Sequence, residues 1–381
     1  MATVIDHGAY FTTLPRDYYL STEIFEQERE RLLTRQWHYA GHISEIPSRG
    51  DYIVIDLLGE SIVIARGDGG TVHALLNVCR HRGHPVCQAP KGSVPRRFVC
   101  PYHQWSYDLD GRLRHAPSVD DGNYIDYADW ALHTVKVEVW HGLIFVCLGE
   151  PITASVSVSL DEVAPGLHRL EPDRLKQVHE VSYQIEANWK VLLENFQECY
   201  HCKGSHPELC VAMDLKEMLQ VTASQRPVSE FYGGGTPTKP GVKSLSSDGE
   251  YVSSPLLGEF GRGSAVPECF EAGFAIQPML TRGIFSPDHA TIHTLRPIDA
   301  THVRWISRWL VHEDAKEGVD YDLERLTAVW RATNEQDLSL VEGAFRGVQS
   351  QRFVPGPLSS SQEWALNACL TLYLQLMEGT D

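Results

Sequence analysis

The stretch CRHRGHPVCQAPKGSVPRRFVCPYHQW, residues 79–105, constrains the fold of this chain more than any other. It contains two short loops, Cys79-Arg-His81 and Cys100-Pro-Tyr-His103, and each offers one thiol and one imidazole. From about residue 42 to 150 the surrounding chain is a series of short β-like runs, DYIVIDLL, SIVIARG, TVHALLNVC, VKVEVW and LIFVCLG, broken by Gly, Pro and Asp-Gly turns. Two ligand pairs on hairpin-like loops of a small all-β domain read as a metal site. Two cysteines with two histidines are a common zinc set, so spacing alone leaves zinc open. Zinc knuckles, however, usually draw two cysteines from one loop. One Cys and one His from each loop suit a two-iron cluster, with the thiolates on one iron and the imidazoles on the other. The nearby His73, His84 and His115 read as surface or hydrogen-bonding residues.

A chain of 381 residues is too long for one small core, and two domains are expected. With 43% hydrophobic and 22% charged residues, 30 Gly and 21 Pro, it has the texture of a loop-rich α and β protein rather than a helical bundle. A net charge of -17 argues against nucleic-acid partners, which need a basic surface, and mildly favours cationic ligands. The N-terminal residues lack an apolar run behind basic ones, and no segment approaches the roughly 20 apolar residues of a membrane helix. A cytoplasmic location without a membrane partner is therefore expected. The nine irregularly spaced cysteines read as reduced thiols. Cys199 and Cys202 form a Cys-x-x-Cys without thioredoxin-like surroundings and read as structural.

Along the chain, EIFEQERERLLTRQWHYAG predicts an amphipathic helix ending before Gly41, and residues 151–175 a polar connection. VHEVSYQIEA alternates at period two like a half-buried strand. Asn188 then caps a helix through NWKVLLENFQECYH, with Trp189, Leu192, Leu193, Phe196 and Tyr200 as its apolar stripe. Residues 221–265, rich in Ser, Gly and Pro, read as a long loop and candidate substrate gate. Strand patterns return in AIQPMLTRGIFS, TIHTLRPI and HVRWISRWLV, before a last helix over DLERLTAVWRATNEQDLSLVEGAFRGV. The triple glycine at 233–235 lacks the strand-to-helix context of a dinucleotide site.

The second candidate centre lies in NFQECYHCKGSHPEL, where His201 and His206 flank Gly204 and Glu198 precedes His201 by three residues. On that segment alone, a solvated polar face explains Glu194, Glu198 and His201 equally well. The last helix changes the balance. Leu323, Leu326, Trp330, Thr333, Asp337, Leu340 and Ala344 recur at spacings of three and four, which puts Asp337 inside an apolar stripe. A carboxylate there must lose its charge or find a partner, and a metal is the partner that fits. His201, His206 and Asp337 would then form the two-histidine, one-carboxylate facial set of non-haem iron(II), open on one side to dioxygen and substrate.

Cys79-x-His81 and Cys100-x-x-His103 followed by Trp105 resemble the Rieske [2Fe–2S] motif, and the His-Arg-Gly of residues 81–83 resembles the same loop in Rieske oxygenases. Glu198-x-x-His201-x4-His206 is similar to the catalytic domain of those enzymes. The resemblance runs from about residue 17 to 355 and implies an α+β chain. Its parts would be an N-terminal helical segment (1–40), a small all-β Rieske domain (41–160) and a helix-grip catalytic domain (161–381), an antiparallel sheet around a long helix. It also implies that Glu198, where many members carry Asp, links the two metal centres across a homotrimer. Electrons would come from NAD(P)H through a separate ferredoxin or flavin-type reductase, with O2 as cosubstrate.

The blocks WLVHEDAKEGVDYDLERLTAVWRATNEQD and VPGPLSSSQEW resemble Rieske monooxygenases that demethylate or hydroxylate quaternary ammonium compounds such as glycine betaine, carnitine or stachydrine. The chain departs from that branch at Phe345, where a polar amide residue is usual, and at Leu358, which replaces an aromatic residue. Phe231, Tyr232, Phe270 and Phe274 are candidates to face a cationic substrate. Two alternatives remain: an aromatic ring-hydroxylating mono- or dioxygenase of the same family, and a non-catalytic electron carrier or zinc-binding protein.

Overall fold

A computed structural model describes residues 11–119, 125–215, 231–233, 238–267, 273–276 and 280–379. The chain divides into two compact units: Thr34–Ser157, and the described residues up to Leu33 together with those from Val158 onward. The segment expected as a separate N-terminal helix thus belongs, as far as Leu33, with the C-terminal part of the chain.

The unit Thr34–Ser157 is all β. Its strands are β1 (His38–His42), β2 (Asp51–Leu57), β3 (Glu60–Arg66), β4 (Val72–Leu76), β5 (Lys91–Ser93), β6 (Phe98–Val99), β7 (Ser106–Tyr107), β8 (Leu113–His115), β9 (Thr134–Trp140) and β10 (Leu143–Cys147). Seven form a sheet in the order β1-β10-β9-β4-β3-β2-β5, and β6-β7-β8 form a second, small sheet. Two hairpins set the register of the larger sheet. Leu58-Gly59 joins Leu57 to Glu60, and His141-Gly142 joins Trp140 to Leu143. All four linking residues have positive φ, the type I′ geometry whose twist matches that of the strands it joins. Residues 38–40, expected to be helical, instead lie in β1, which is buried along its whole length against β10. The helix before it stops at Arg31, because His38–His42 satisfy their backbone groups in the sheet.

The second unit opens with helices α1 (Asp17–Leu20) and α2 (Thr22–Arg31). Residues 151–175 are no simple connection: they contain α3 (Val156–Val163) and two 3-10 turns that bury Val156, Leu160, Leu167 and Leu170. Strand β11 (Leu175–Ile185) leads to α4 (Trp189–Phe196), α5 (Cys202–Ser205) and α6 (Leu209–Ala212). Then follow β12 (Phe231–Gly233), α7 (Gly258–Gly261), β13 (Gly273–Ile276), β14 (Thr281–Phe285), β15 (His289–Pro297), β16 (Val303–His312), α8 (Leu323–Val348) and α9 (Trp364–Glu378). The strands form one antiparallel sheet, β11-β16-β15-β14-β13-β12. Its inner face packs on α8, with Trp309 and Val311 against Leu326, Val329 and Trp330. This is the expected sheet-around-a-long-helix arrangement.

Three sequence expectations are corrected here. α4 ends at Phe196, four residues short of Tyr200, which is 59% exposed and outside the apolar stripe. The apolar face of α8 runs through Val341 and Phe345, whereas Leu340 is exposed. α9, for which no helix was expected, buries Leu366, Cys369, Leu370 and Tyr373. The described part of the expected gate is packed rather than open, with Leu245, Val252, Leu257 and Phe260 buried; residues 221–230 and 234–237 lie outside the described residues. Phe345 and Leu358, the positions that depart from the quaternary ammonium branch, are both buried. Among the described residues no helix is long and apolar enough to cross a membrane.

Candidate metal centres

In the β unit, one Cys and His loop follows β4 and the other joins β6 to β7. Each closes on itself through backbone hydrogen bonds. Gly83 N donates to Cys79 O (2.8 Å) and Cys79 N to His84 O (3.0 Å), while Gln104 N donates to Cys100 O (3.1 Å) and Cys100 N to Trp105 O (2.8 Å). Gly83 turns the first loop with a φ of 76°, a region where a side chain would add strain. Asn77 ties that loop at its base, exchanging hydrogen bonds with Cys87 N and O, both 2.8 Å.

The result is convergence. His81 and His103 have ring centroids 4.4 Å apart, and His81 stacks on Trp105 at 5.0 Å. Cys79 Sγ lies 3.3 Å from the Tyr107 hydroxyl, which also accepts from Arg80 N. Burial, and then the charge of His103, lower the pKa of His81 and hold it neutral, the form in which imidazole binds metal. Burial raises the Cys100 thiol, with Cys79 beside it adding to the shift. His81 Nδ1 is buried with no hydrogen-bond partner, a lone pair left for a cation. Two thiols, two imidazoles and this orphaned nitrogen fit a Cys2His2 iron–sulfur cluster.

The second site is assembled from three elements. His201 follows the turn after α4, His206 caps α5, and Asp337 lies midway along α8, 3% exposed. Asp337 Oδ1 is 3.3 Å from His201 Nε2 and 3.0 Å from His206 Nε2. Each ring is held from its far side. His201 Nδ1 meets Glu198 Oε1 at 2.5 Å, and His206 Nδ1 meets Gln336 Oε1 at 2.8 Å. Gln336 Nε2 in turn donates to Glu208 Oε2 (2.8 Å). Acceptors at both Nδ1 atoms keep the ring protons there and leave both Nε2 lone pairs facing a carboxylate oxygen.

Lone pairs opposite an anion require a cation between them, and His206 Nε2 has no hydrogen-bond donor of its own. Without metal a proton serves. Burial pulls His201 down, but Asp337 and Glu198 outweigh it and hold its pKa at about 9. Burial would raise Asp337, yet His201 and His206 keep it below the usual carboxylate range. Two imidazoles and one carboxylate on one side fit a ferrous ion.

Sequence reasoning missed the supporting polar residues. Asn195 Nδ2 donates to Asp337 Oδ1 (3.1 Å), and Gln336 and Glu208 back His206. The expectation of reduced thiols fails for one pair: Cys199 and Cys202 are joined in a disulfide, because the turn after α4 brings their Cα atoms to 4.8 Å. Cys202 lies within the same group as His201 and His206, but as half of a disulfide it has no thiolate to offer.

Of the aromatic candidates, Phe231 and Phe274 lie on the sheet face opposite α8, where Phe274 packs on Phe285, whereas Tyr232, opposite Ala275, lies on the face toward α8. Phe270 lies outside the described residues. The aromatics beside the second site are Phe196, Trp305 and Trp330, packed around His293 with centroid distances of 5.5, 5.9 and 4.6 Å.

Residues 172–379 match the family model of the ring hydroxylating alpha subunit catalytic domain, and residues 36–136 match that of the Rieske [2Fe-2S] domain. The chain belongs to the Rieske non-haem iron oxygenases, as an alpha subunit. This oxygenase is 33% identical to a glycine betaine monooxygenase oxygenase subunit of Pseudomonas aeruginosa, covering 96% of this chain and 89% of the relative. A Chromohalobacter salexigens subunit of the same name is 35% identical over 93% of this chain and 83% of its own.

In structure the oxygenase resembles a quaternary ammonium Rieske monooxygenase (TM-score 0.76, 24% identity, 97% of each chain). It also shares its fold with naphthalene 1,2-dioxygenase from a Rhodococcus species (TM-score 0.72, 22% identity, 96% of this chain and 94% of that one). Its cofactors are a Rieske [2Fe–2S] cluster and a mononuclear non-haem iron, its cosubstrate is O2, and its electrons come from a separate reductase. The alternative of a non-catalytic zinc-binding or electron-carrying protein is thereby set aside.

Proposed function

We propose that this oxygenase oxidises an N-methyl group of a small quaternary ammonium compound, releasing formaldehyde and the demethylated amine. The observation that carries this reading is similarity over nearly the whole chain to subunits named for glycine betaine oxidation. Partial matches to carnitine monooxygenase subunits and to an N,N-dimethyl phenylurea N-demethylase subunit lie in the same chemistry. Aromatic faces at Phe196, Trp305 and Trp330 suit a desolvated cation.

In this reading Cys79, His81, Cys100 and His103 hold the cluster, and His201, His206 and Asp337 hold the iron. When bound, the cluster supplies single electrons and the iron supplies the site at which O2 is activated. The chain's own residues do the rest. Glu198 and Gln336 keep the Nδ1 protons of His201 and His206 in place. Asn195 steadies Asp337, and α8 excludes water behind it. To Glu198, 12% exposed and in contact with His201, this reading gives the coupling of that iron to a cluster in a neighbouring subunit of a homotrimer; its contact with His201 supports the role.

The test is a single turnover of the chemically reduced, iron-loaded protein with quaternary ammonium compounds and aromatic acids, read by mass spectrometry. Formaldehyde with a demethylated amine is the expected product. A ring-hydroxylated product without formaldehyde would make the protein a ring hydroxylase of the same family.

A further inference from the structure

The inner face of the catalytic sheet carries a cation that the metal centre does not use. Ala275, Arg282, His293 and Ser307 are directly opposed residues on β13, β14, β15 and β16, and so share one face. That face receives α8: Asn334 Nδ2 donates to Ser307 Oγ (2.9 Å), and Trp330 packs on His293. Arg282 therefore projects toward the helices that carry the iron ligands. Its guanidinium makes one long hydrogen bond, Nη1 to Phe196 O at 3.3 Å, and stands 5.7 Å from the Phe196 ring centroid. Among the described residues no carboxylate pairs with it, although Arg169, Arg174, Arg262, Arg308 and Arg325 each have one.

Arg282 is half-buried on a strand whose opposite-face residues Thr281, Gly283 and Phe285 are buried; burial lowers its pKa, and Tyr232 beside it is the one group that offsets this, so five donors stand without a carboxylate. Its position relative to the second metal site follows from two adjacent residues at the end of α4: Asn195 bonds Asp337 and Phe196 bonds Arg282. His293 stands between them, feeling the charge of both Arg282 and Asp337.

We propose that Arg282 is the anion receptor of the substrate pocket, and that the substrate is a zwitterion carrying a carboxylate as well as the quaternary ammonium group. This rests on the N-methyl oxidation reading above. The methyl groups must face the iron site at Asp337, so the carboxylate points away from it, onto the fork of Arg282. A planar guanidinium matches a carboxylate in bidentate fashion. The same charge rejects a bare cation, because a quaternary ammonium alcohol brings nothing to neutralise Arg282 when water is expelled. Arg282 would thus select between cationic substrates of nearly equal size, while the aromatic walls hold the feature they have in common.

The test uses the iron-loaded holoenzyme with glycine betaine and γ-butyrobetaine, with choline as the analogue lacking a carboxylate, and with a benzoate as an aromatic acid. Binding is read by titration calorimetry and turnover by product formation. The expected wild-type result is a kcat/KM at least about 10- to 100-fold higher for a betaine than for choline. Arg282→Gln should raise Kd and KM for the betaine by a similar factor with kcat little changed, and should erase the preference over choline. Arg282→Lys should restore part of it. Cluster absorption and iron content report whether each variant is folded, and the wild-type preference stands as a test that needs no variant.

Equal use of choline and betaine by the wild type, or unchanged betaine affinity in Arg282→Gln, would overturn the assignment while leaving N-methyl oxidation intact. Turnover of the aromatic acid alone would instead overturn the quaternary ammonium reading. Loss of acid binding in Arg282→Gln would then uphold the anion receptor, and its persistence would remove it.

Discussion

At the scale of single residues, metal affinity depends on groups hydrogen-bonded to the far side of the ligands. Gln336 holds the Nδ1 proton of His206 and is itself held by Glu208. Removing it frees the ring to rotate and to move its proton to Nε2, where it would block the metal. Partners of this kind are worth about 10- to 100-fold in metal affinity. Gln336→Leu should therefore weaken iron binding by about that factor, measured as iron retained after dialysis against a chelator, with the Rieske absorption unchanged. Retention equal to wild type would show that His206 needs no such support.

At the scale of elements, one carboxylate joins three helices. Glu28 of α2 accepts from Lys190 Nζ (2.6 Å) and Trp189 Nε1 (2.8 Å) of α4 and from the Tyr373 hydroxyl (2.6 Å) of α9. Both members of the ion pair are fully buried. Losing one partner leaves an uncompensated charge, at a cost of about 3–5 kcal/mol, whereas replacing both is often nearly neutral. Lys190→Met should lower stability by about that amount in urea unfolding, and adding Glu28→Gln should recover most of it.

The next turn of α4 adds a pH dependence. Burial raises Glu194 to about 7, against the pull of the Tyr19 hydroxyl bonded to it and of Lys190. The folded chain thus holds this proton more tightly than the unfolded one. Its contribution is complete below about pH 4.5 and is lost as the pH rises through about 7. Glu194→Gln keeps an acceptor for Tyr19 and should flatten the decline in unfolding midpoint between pH 5 and 7.5.

At the scale of the whole molecule, the two metal sites lie in different compact units. If Glu198 couples the iron of one subunit to the cluster of a neighbour, two inactive chains should complement each other. Cys100→Ser lacks a cluster ligand and Asp337→Ala an iron ligand, so neither alone should form product. Co-expressed in mixed oligomers they should recover a measurable fraction of wild-type turnover, and Glu198→Gln on the iron-competent chain should abolish that recovery. Transfer confined to one subunit would give no activity in the mixture.

Both proposed ligand sets stand out in the sequence because they break its patterns. Thiol and imidazole pairs interrupt a run of strands at 79–103, and Asp337 interrupts an apolar helical stripe. The family and the α+β architecture follow from the same signals. The supporting residues could not be read in this way: Gln336 and Asn195 lie in helices and Glu208 in the turn before α6, polar residues indistinguishable in one dimension from a solvated face.

The turn from helix to strand near Trp37 also escaped, because amphipathic texture continues past the point where backbone pairing with β10 takes over. The pocket depended most on tertiary structure. Successive strand residues point to opposite faces, so the cross-strand register decides that Arg282 and His293 face α8 while Phe274 faces away. Residue chemistry and short-range periodicity name the metals, while register and packing across more than a hundred residues determine what stands beside them.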